Sequence, residues 1–305
     1  MPVGAAAGTV QYSGTFVPEV WSSKMLVKFY SATVLAAISN TDYEGEIKDH
    51  GDKVNIRTVP DIDINDYTKG QDLIHQRPES TNKELLIDKG KYFDFICDDI
   101  DKYQTDLALM DRFSDDAGQQ MKIAIDTGVL ADIYADAHSS NKGQTAGAKS
   151  GDIDLGATAS AFAVTKANVL EKLVDLGTVL DEQDVPETQR WVVIPAWFAG
   201  MIKKSDLKDA SLSGDGTSIM RNGRLGTIDR FTLYSSNLLT SVSDTYTCYH
   251  VLAGQISALS FAAQMTEMET LRSERTFGTI VRGLNVYGYE VLKTSALVDF
   301  YCRKG

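Results

Sequence analysis

The sequence is short of cysteine, of histidine and of positive charge, and each shortage excludes something. Three cysteines, Cys97, Cys248 and Cys302, stand far apart with no Cys-x-x-Cys pair. An odd, scattered set reads as reduced thiols and not as a disulfide framework. The four histidines, His50, His75, His138 and His250, have no ligand spacing with one another or with the cysteines. No run approaches the ~18 apolar residues of a membrane span, and the opening Met-Pro-Val-Gly-Ala-Ala-Ala-Gly lacks the basic flank of a signal peptide. There is no Asn-x-Ser/Thr acceptor. Lys and Arg number 30 against 42 Asp and Glu, a formal charge of -12. A surface that acidic repels phosphate and lacks the basic footprint of a nucleic-acid binder. A protein made and used in a cytoplasm is expected.

What is present is an ordinary globular composition, 43% apolar and 24% charged over 305 residues. That fits one large domain or two closely joined ones. Residues 1–16 are small and polar and read as a flexible arm. Pro18 and Glu19 suit a helix start, and Trp21, Met25, Phe29, Ala32 and Ala36 follow at helical spacing up to Asn40. The period then changes. Val54, Ile56, Ile62 and Ile64 alternate with polar residues around Pro60, and Leu85, Ile87, Phe93 and Phe95 restore the alternation later. Between them lies a polar stretch to Lys83, too long for a tight hairpin, so an extended two-stranded arm with a polar tip is expected.

Residues 103–137 read as one helix, roughly 50 Å long at 1.5 Å per residue. Leu107, Met110, Ala117, Met121, Ala124, Gly128, Ala131 and Ala135 form its seam, and Leu109, Phe113, Val129 and Ile133 a second stripe. The Ala- and Gly-rich seam is expected to be the packed side. Residues 138–156 read as a flexible boundary loop. A helix through Val169, Leu173, Leu176 and Leu180 follows, with Thr165 as its cap. Then come a buried strand at Trp191–Ile194, helical spacing over 196–204, a glycine-rich loop at 211–226, and strand-like runs at 228–234, 246–252 and 283–298.

Three motifs invite chemistry. Gly143 to Ser150 resembles a phosphate-binding loop, but Ala148 replaces the glycine that lets amides crowd a phosphate, and a helix precedes it where a strand belongs. Asp61, Asp63 and Asn65 match the start of a calcium loop, yet Asp66 stands where the sharp turn needs glycine and Asp72 where a bidentate Glu is required. Asp98, Asp99 and Asp101 form an acidic run with no histidine near in sequence, best read as carboxylates at the positive end of the following helix. Arg221, Arg224, Arg272, Arg275 and Arg282 are expected to pair with carboxylates. No catalytic, cofactor or metal residue is assigned.

The order of the parts carries a resemblance. Val17-Pro-Glu-Val-Trp21, Gly51-Asp-Lys-Val-Asn-Ile56, Asn65-Asp-Tyr-Thr68, Ile87-Asp-Lys89, Asp98 to Lys102, Gly223 to Phe231 and Arg272 to Tyr287 resemble the major capsid proteins of tailed double-stranded-DNA bacteriophages. That resemblance implies an α+β fold. Its parts would be an N-terminal arm and first helix (1–40) and an extended E-loop with P-domain strands (41–102). A spine helix and following loop (103–160), an A-domain (161–265) and a return to the P-domain (266–305) would complete it. It also implies a homo-oligomer of hexamers and pentamers that encloses double-stranded DNA without sequence-specific binding. A separate scaffolding protein is expected, since no long scaffolding region precedes the arm, with portal and decoration proteins as further partners and no membrane. Contacts between subunits would fall on the E-loop tip, at Asp66, Tyr67, Thr68, Lys69, Gly70, Gln71, His75 and Arg77, and on the arm, at Val10, Tyr12 and Phe16. The rival readings are an encapsulin-like compartment of the same fold and a soluble nucleotide- or metal-binding enzyme.

Overall fold

The computed structural model describes residues 30, 31, 33–43, 53–60, 62–100, 109–205 and 226–305. The fold is α+β, with three sheets of very different character. The largest has seven strands. They are β4 (Phe162–Val164), β5 (Arg190–Ile194), β6 (Thr227–Ile228), β7 (Phe231–Ser235), β8 (Ser241–Ser243), β9 (Thr247–Gln255) and β12 (Leu297–Lys304). Their order is β4-β12-β9-β5-β7-β6, with β8 on β9. β5 and β7 pair in parallel, and all five residues of β5 are buried, as a strand covered on both faces requires.

Helix α3 (Val169–Glu182) buries Val169, Leu173, Leu176 and Leu180 against this sheet at the spacing the sequence predicts. Thr165 does not cap it with its side chain. Its carbonyl accepts from Val169 N, while Asn168 bonds Thr165 N and the Ala163 carbonyl. Helix α4 (Ala196–Lys204) follows β5. Arg190 fastens α3 to the sheet. Its buried guanidinium donates to the carbonyls of Pro186 and Val185 at 3.0 and 2.6 Å and to Asp181 at 2.7 Å. Trp191 faces Gly254 across the β5–β9 pair, where an added Cβ would lie 3.2 Å from the indole and 2.8 Å from the Ala296 carbonyl.

The second sheet is long and narrow: β3 (Lys89–Asp98), β10 (Leu259–Arg272) and β11 (Gly278–Val291), in the order β10-β11-β3. β10 went unseen in the sequence because Met265, Glu267, Met268 and Glu269 do not mark a strand. Its partner β11, paired through a bulge at Ala263 and Met265, holds it extended. The closing segment 266–305 is therefore divided, since β12 joins the seven-stranded sheet while β10 and β11 lie beside β3.

Helix α2 (Leu109–Asp132) crosses this sheet, with Phe113 edge-on to Phe95 at 5.9 Å, and a 3-10 turn at Ile133–Asp136 ends it. The start expected at residue 103 lies outside the described residues. Its packed side differs from the expectation. Ile125, Asp126, Val129, Leu130 and Ile133 are buried, whereas Ala124 and Ala135 of the small-residue seam are exposed. Large β-branched and Leu side chains remove more apolar area from water than Ala does, so they take the inside.

The helix expected from Pro18 to Asn40 is also corrected in its described part. Only α1 (Leu35–Ile38) is helical, and Tyr30, Ser31, Thr33 and Val34 are not. The reason is Asp126, whose buried carboxylate accepts from Val34 N at 2.6 Å and Leu35 N at 3.2 Å and so starts the helix there. Burial holds that carboxyl above the usual carboxylate range.

The third sheet is the pair β1 (Lys53–Arg57) and β2 (Asn82–Leu86), antiparallel with Val54 opposite Leu85. A small core of Val54, Leu85, Ile87 and Ala262 seats its root. The seat is close. A Cβ on Gly288 of β11 would fall 1.9 Å from the Leu86 carbonyl oxygen, so no side chain fits there. Nearby, Tyr289 joins three elements by donating to Asp132 of α2 and lying 2.9 Å from the Lys89 ammonium of β3. Burial pushes its hydroxyl up to about 12.

Candidate intersubunit surfaces

Beyond Arg57 the hairpin stops being a sheet. Strand pairing was expected to run on through Ile62 and Ile64, but it ends at the Arg57–Asn82 pair. Among the described residues from Thr58 to Thr81 there is no regular structure apart from one turn. Pro60 explains the stop, since it cannot donate to a ladder. Isolated rungs replace the sheet. Thr58 N donates to Thr81 O at 2.9 Å, and Gln76 bonds both Asp63 N and Asp63 O at 3.0 and 2.8 Å. At the end, Gln71 N donates to Thr68 O, and Gly70 takes φ +88°, where a side chain would be strained.

The polar tip from Asp66 to Lys83 and the chain leading into it also carry exposed apolar side chains. Val59 and Ile64 are 92% exposed, Ile74 80%, Leu73 69%, Tyr67 68% and Ile62 62%. All six sit on an arm too thin to bury them. Full burial would be worth roughly 10 kcal/mol or more before the cost of ordering the arm. Single exposed apolar side chains are normal, but a contiguous set marks a contact surface. Of the residues named from sequence, Asp66, Tyr67, Thr68, Lys69, Gly70, Gln71, His75 and Arg77 all lie on this tip. Val59, Ile62, Ile64, Leu73 and Ile74 were missed. Ile62 and Ile64 stood in the alternation that was taken for a continuing strand, whereas no such pattern marks Val59, Leu73 or Ile74. Val10, Tyr12 and Phe16 lie outside the described residues.

The chemical motifs resolve into internal contacts. The loop at Gly143–Ser150 is pinned, not flexible. Ala146 and Ile153 bridge, and the amides of Lys149 and Ser150 donate to the Glu182 carboxylate at 2.8 and 3.1 Å. Two amides that could have met a phosphate are engaged, and they hold Glu182 below its usual range. Asp99 takes Arg272 in a two-point pair at 2.9 and 2.6 Å, and Arg282 pairs with Glu269, so these arginines meet carboxylates of their own chain. Asp61 and Asp101 lie outside the described residues, as do Arg221 and Arg224.

His250 and Asp299 form a buried pair, Nδ1 to carboxylate at 2.9 and 3.0 Å, with the Tyr134 ring stacked on the imidazole at 3.8 Å. The pair holds β9 to β12 under the end of the spine helix, and burial raises the Asp299 carboxyl. All three cysteines are buried, and burial pushes the Cys302 thiol well up. Among the described residues no helix is long and apolar enough to cross a membrane.

Comparison with known proteins completes the picture. No curated protein matches the chain. Among solved structures it is similar to a chain of Mycobacterium phage Che8, with 26% identity, TM-score 0.78, and 95% of this chain and 98% of that one covered. It is similar in fold to the capsid of the Cyanophage P-SCSP1u, with 16% identity, TM-score 0.73 and 98% of both chains covered. Cyanophage Pam1 gives 9% identity and TM-score 0.72 over 97% of this chain and 98% of that one. The sequence profile described as phage capsid protein matches residues 83–300, from the return strand of the thin arm to within a few residues of the end. With its narrow sheet, crossing helix and unsupported arm, the chain belongs to the phage capsid protein family.

Proposed function

We propose that this chain is the major capsid protein of a tailed phage, a structural subunit that assembles into the icosahedral head around double-stranded DNA. The six exposed apolar side chains of the Thr58–Thr81 tip carry the reading, because nothing among the described residues covers them and a neighbouring copy would. The tip acts as the E-loop and lies on a neighbouring copy in rings of five and six, with Asp66 to Gln71, His75 and Arg77 at the contact. Val10, Tyr12 and Phe16 of the arm make a second contact. Residues 1–40, 41–102, 103–160, 161–265 and 266–305 serve as arm, E-loop and strands, spine, A-domain and closing segment. Each contact is modest, and the shell gains its stability from many made at once.

Assembly takes place in a bacterial cytoplasm with a separate scaffolding protein, and portal and decoration proteins join the shell. DNA is confined and not bound: at -12 the subunit repels phosphate, so no mobility shift of duplex DNA is expected at physiological salt. The decisive experiment replaces residues 67–82 with a short Gly-Ser turn. The shortened subunit should stay soluble and melt near the parent temperature, yet sediment as monomers or small rings. Normal shells from it would overturn the E-loop assignment.

A further inference from the structure

Left-handed backbone is gathered at one corner of the seven-stranded sheet. Five described residues other than glycine have positive φ. Four of them, Asp184, Gln189, Asp229 and Arg230, lie where the loop from α3 to β5 meets the turn from β6 to β7. Asp229 and Arg230, at φ +45° and +67°, are the two central residues of that turn, since Ile228 pairs with Phe231 across it. A two-residue hairpin turn with both central residues left-handed is ordinarily built from Asn-Gly or Asp-Gly. Asp229 suits its place. Arg230 stands where glycine belongs, and its Cβ is a cost that the hairpin does not remove.

Charge offsets that cost. The Arg230 guanidinium lies 2.9 Å from Asp181 on α3 and 2.7 Å from Glu187 in the α3–β5 loop. The Asp229 carboxylate reaches α3 as well. A Cβ on Gly177 would fall 2.8 Å from its oxygen, so the turn plugs into a gap left by a glycine in mid-helix. Asp181 is shared with the buried Arg190; burial works against its charge, but the two guanidiniums hold its carboxyl below the usual range. The arginines differ in exposure. The side chain of Arg190 has none, whereas that of Arg230 is 35% exposed and its partner Glu187 67%. Added salt therefore weakens the hold on the turn much more than the hold of Arg190 on α3. The attachment of β6 is otherwise slight. It has two residues, Thr227 and Ile228, paired to β7 alone at the rim of the sheet. Half-buried Ile228 and one bond from Leu233 N to Gly226 O at 3.2 Å complete it.

We propose that the β6–β7 turn is a salt-sensitive latch, in which the ion pairs of Arg230 hold a left-handed backbone and their screening frees β6 while β5, β7 and α3 stay in place. Freeing it adds residues 227–230 to the connection that leaves α4 at Lys204 and enters β7 at Phe231. This edge of the sheet then has two settings, chosen by ionic strength. The first test is amide hydrogen exchange on the unassembled native subunit in about 0.1 M and about 1 M NaCl, between which the screening length falls from roughly 10 Å to roughly 3 Å. A peptide covering 226–232 should lose protection about fivefold or more in the higher salt, and one covering 190–194 should not change. An unchanged 226–232 peptide, or equal loss in both, would overturn the proposal. No shell is needed, so the result is independent of whether the chain assembles.

A second test separates charge from backbone. Arg230→Ala removes the ion pairs and keeps the left-handed cost, whereas Arg230→Gly removes both. In low salt the alanine variant should exchange about fivefold faster over 226–232 than the glycine variant, each measured against its unstructured rate. Neither should respond further to salt. Equal protection in the two would mean that nothing is held against the backbone, and the latch would fall. If Arg230→Ala does not fold, the salt response of the native chain decides alone.

Discussion

In β5 every residue from Arg190 to Ile194 is buried, and in β10 every residue from Glu267 to Arg272 is exposed, yet both are paired strands. The two belong to regions built on opposite terms. The seven-stranded sheet has helices against it, short edges and a continuous core that draws in residues from Val34 to Cys302. The narrow sheet reaches that core only at one end, through Leu259, Tyr287 and Val291; the thin arm is seated on the four-residue core at Val54, Leu85, Ile87 and Ala262, and the two leave Ile64, Ile74 and Phe277 in water. One region can stabilise itself. The other leaves apolar surface exposed, which the proposed shell contacts would cover.

That contrast can be broken by substitution, ranked here by effect on the isolated subunit. Trp191→Ala should cost about 3–5 kcal/mol in urea unfolding, since it opens a cavity against Gly254 in the self-sufficient region. A loss comparable to that of a surface substitution would mean the central core is not what holds the subunit together. Gly288→Ala should cost about 1–3 kcal/mol, because the new methyl meets the Leu86 carbonyl and must push the hairpin root away. Its shells should be defective well beyond its change in melting temperature, and well-formed shells would show that the seat at Gly288 does not aim the arm.

Glu182→Gln should have a smaller effect, and one that depends on pH. The amides of Lys149 and Ser150 hold the Glu182 carboxyl below its usual value of 4.5. Its contribution is therefore present above that value and lost as pH falls through the lower, folded one. The variant should be less stable than the parent at pH 7, with the gap closing in acid. A gap that widened in acid would contradict the geometry. Least of all, Ile62→Ser, Ile64→Ser and Ile74→Ser together should move unfolding by less than about 0.5 kcal/mol, while abolishing shells. A marked loss of monomer stability would mean the tip packs on its own subunit.

The same contrast governs what the sequence made legible. Burial writes periodicity, so the β5 strand at Trp191–Ile194 and the α3 stripe at Val169, Leu173, Leu176 and Leu180 were plain in advance. Where the partner is another molecule, the pattern misleads. Ile62 and Ile64 alternate as if in a strand, but among the described residues no face receives them. β10 was invisible for the related reason that half of it has no covered side. The seam of α2 was misread because small residues at regular spacing resembled a packed face, while Val129 and Ile133 were the ones inside. The family resemblance supplied the fold class where local pattern did not.

Asp126 has a mechanical meaning beyond starting a four-residue helix. It ties Val34 and Leu35 to the last third of α2, and six residues beyond Val34, Asn40 is tied to Leu259 and Phe261 of β10. A pull on the chain preceding Tyr30 would thus load the crossing helix first and the narrow sheet second, through a core that both share with the seven-stranded sheet.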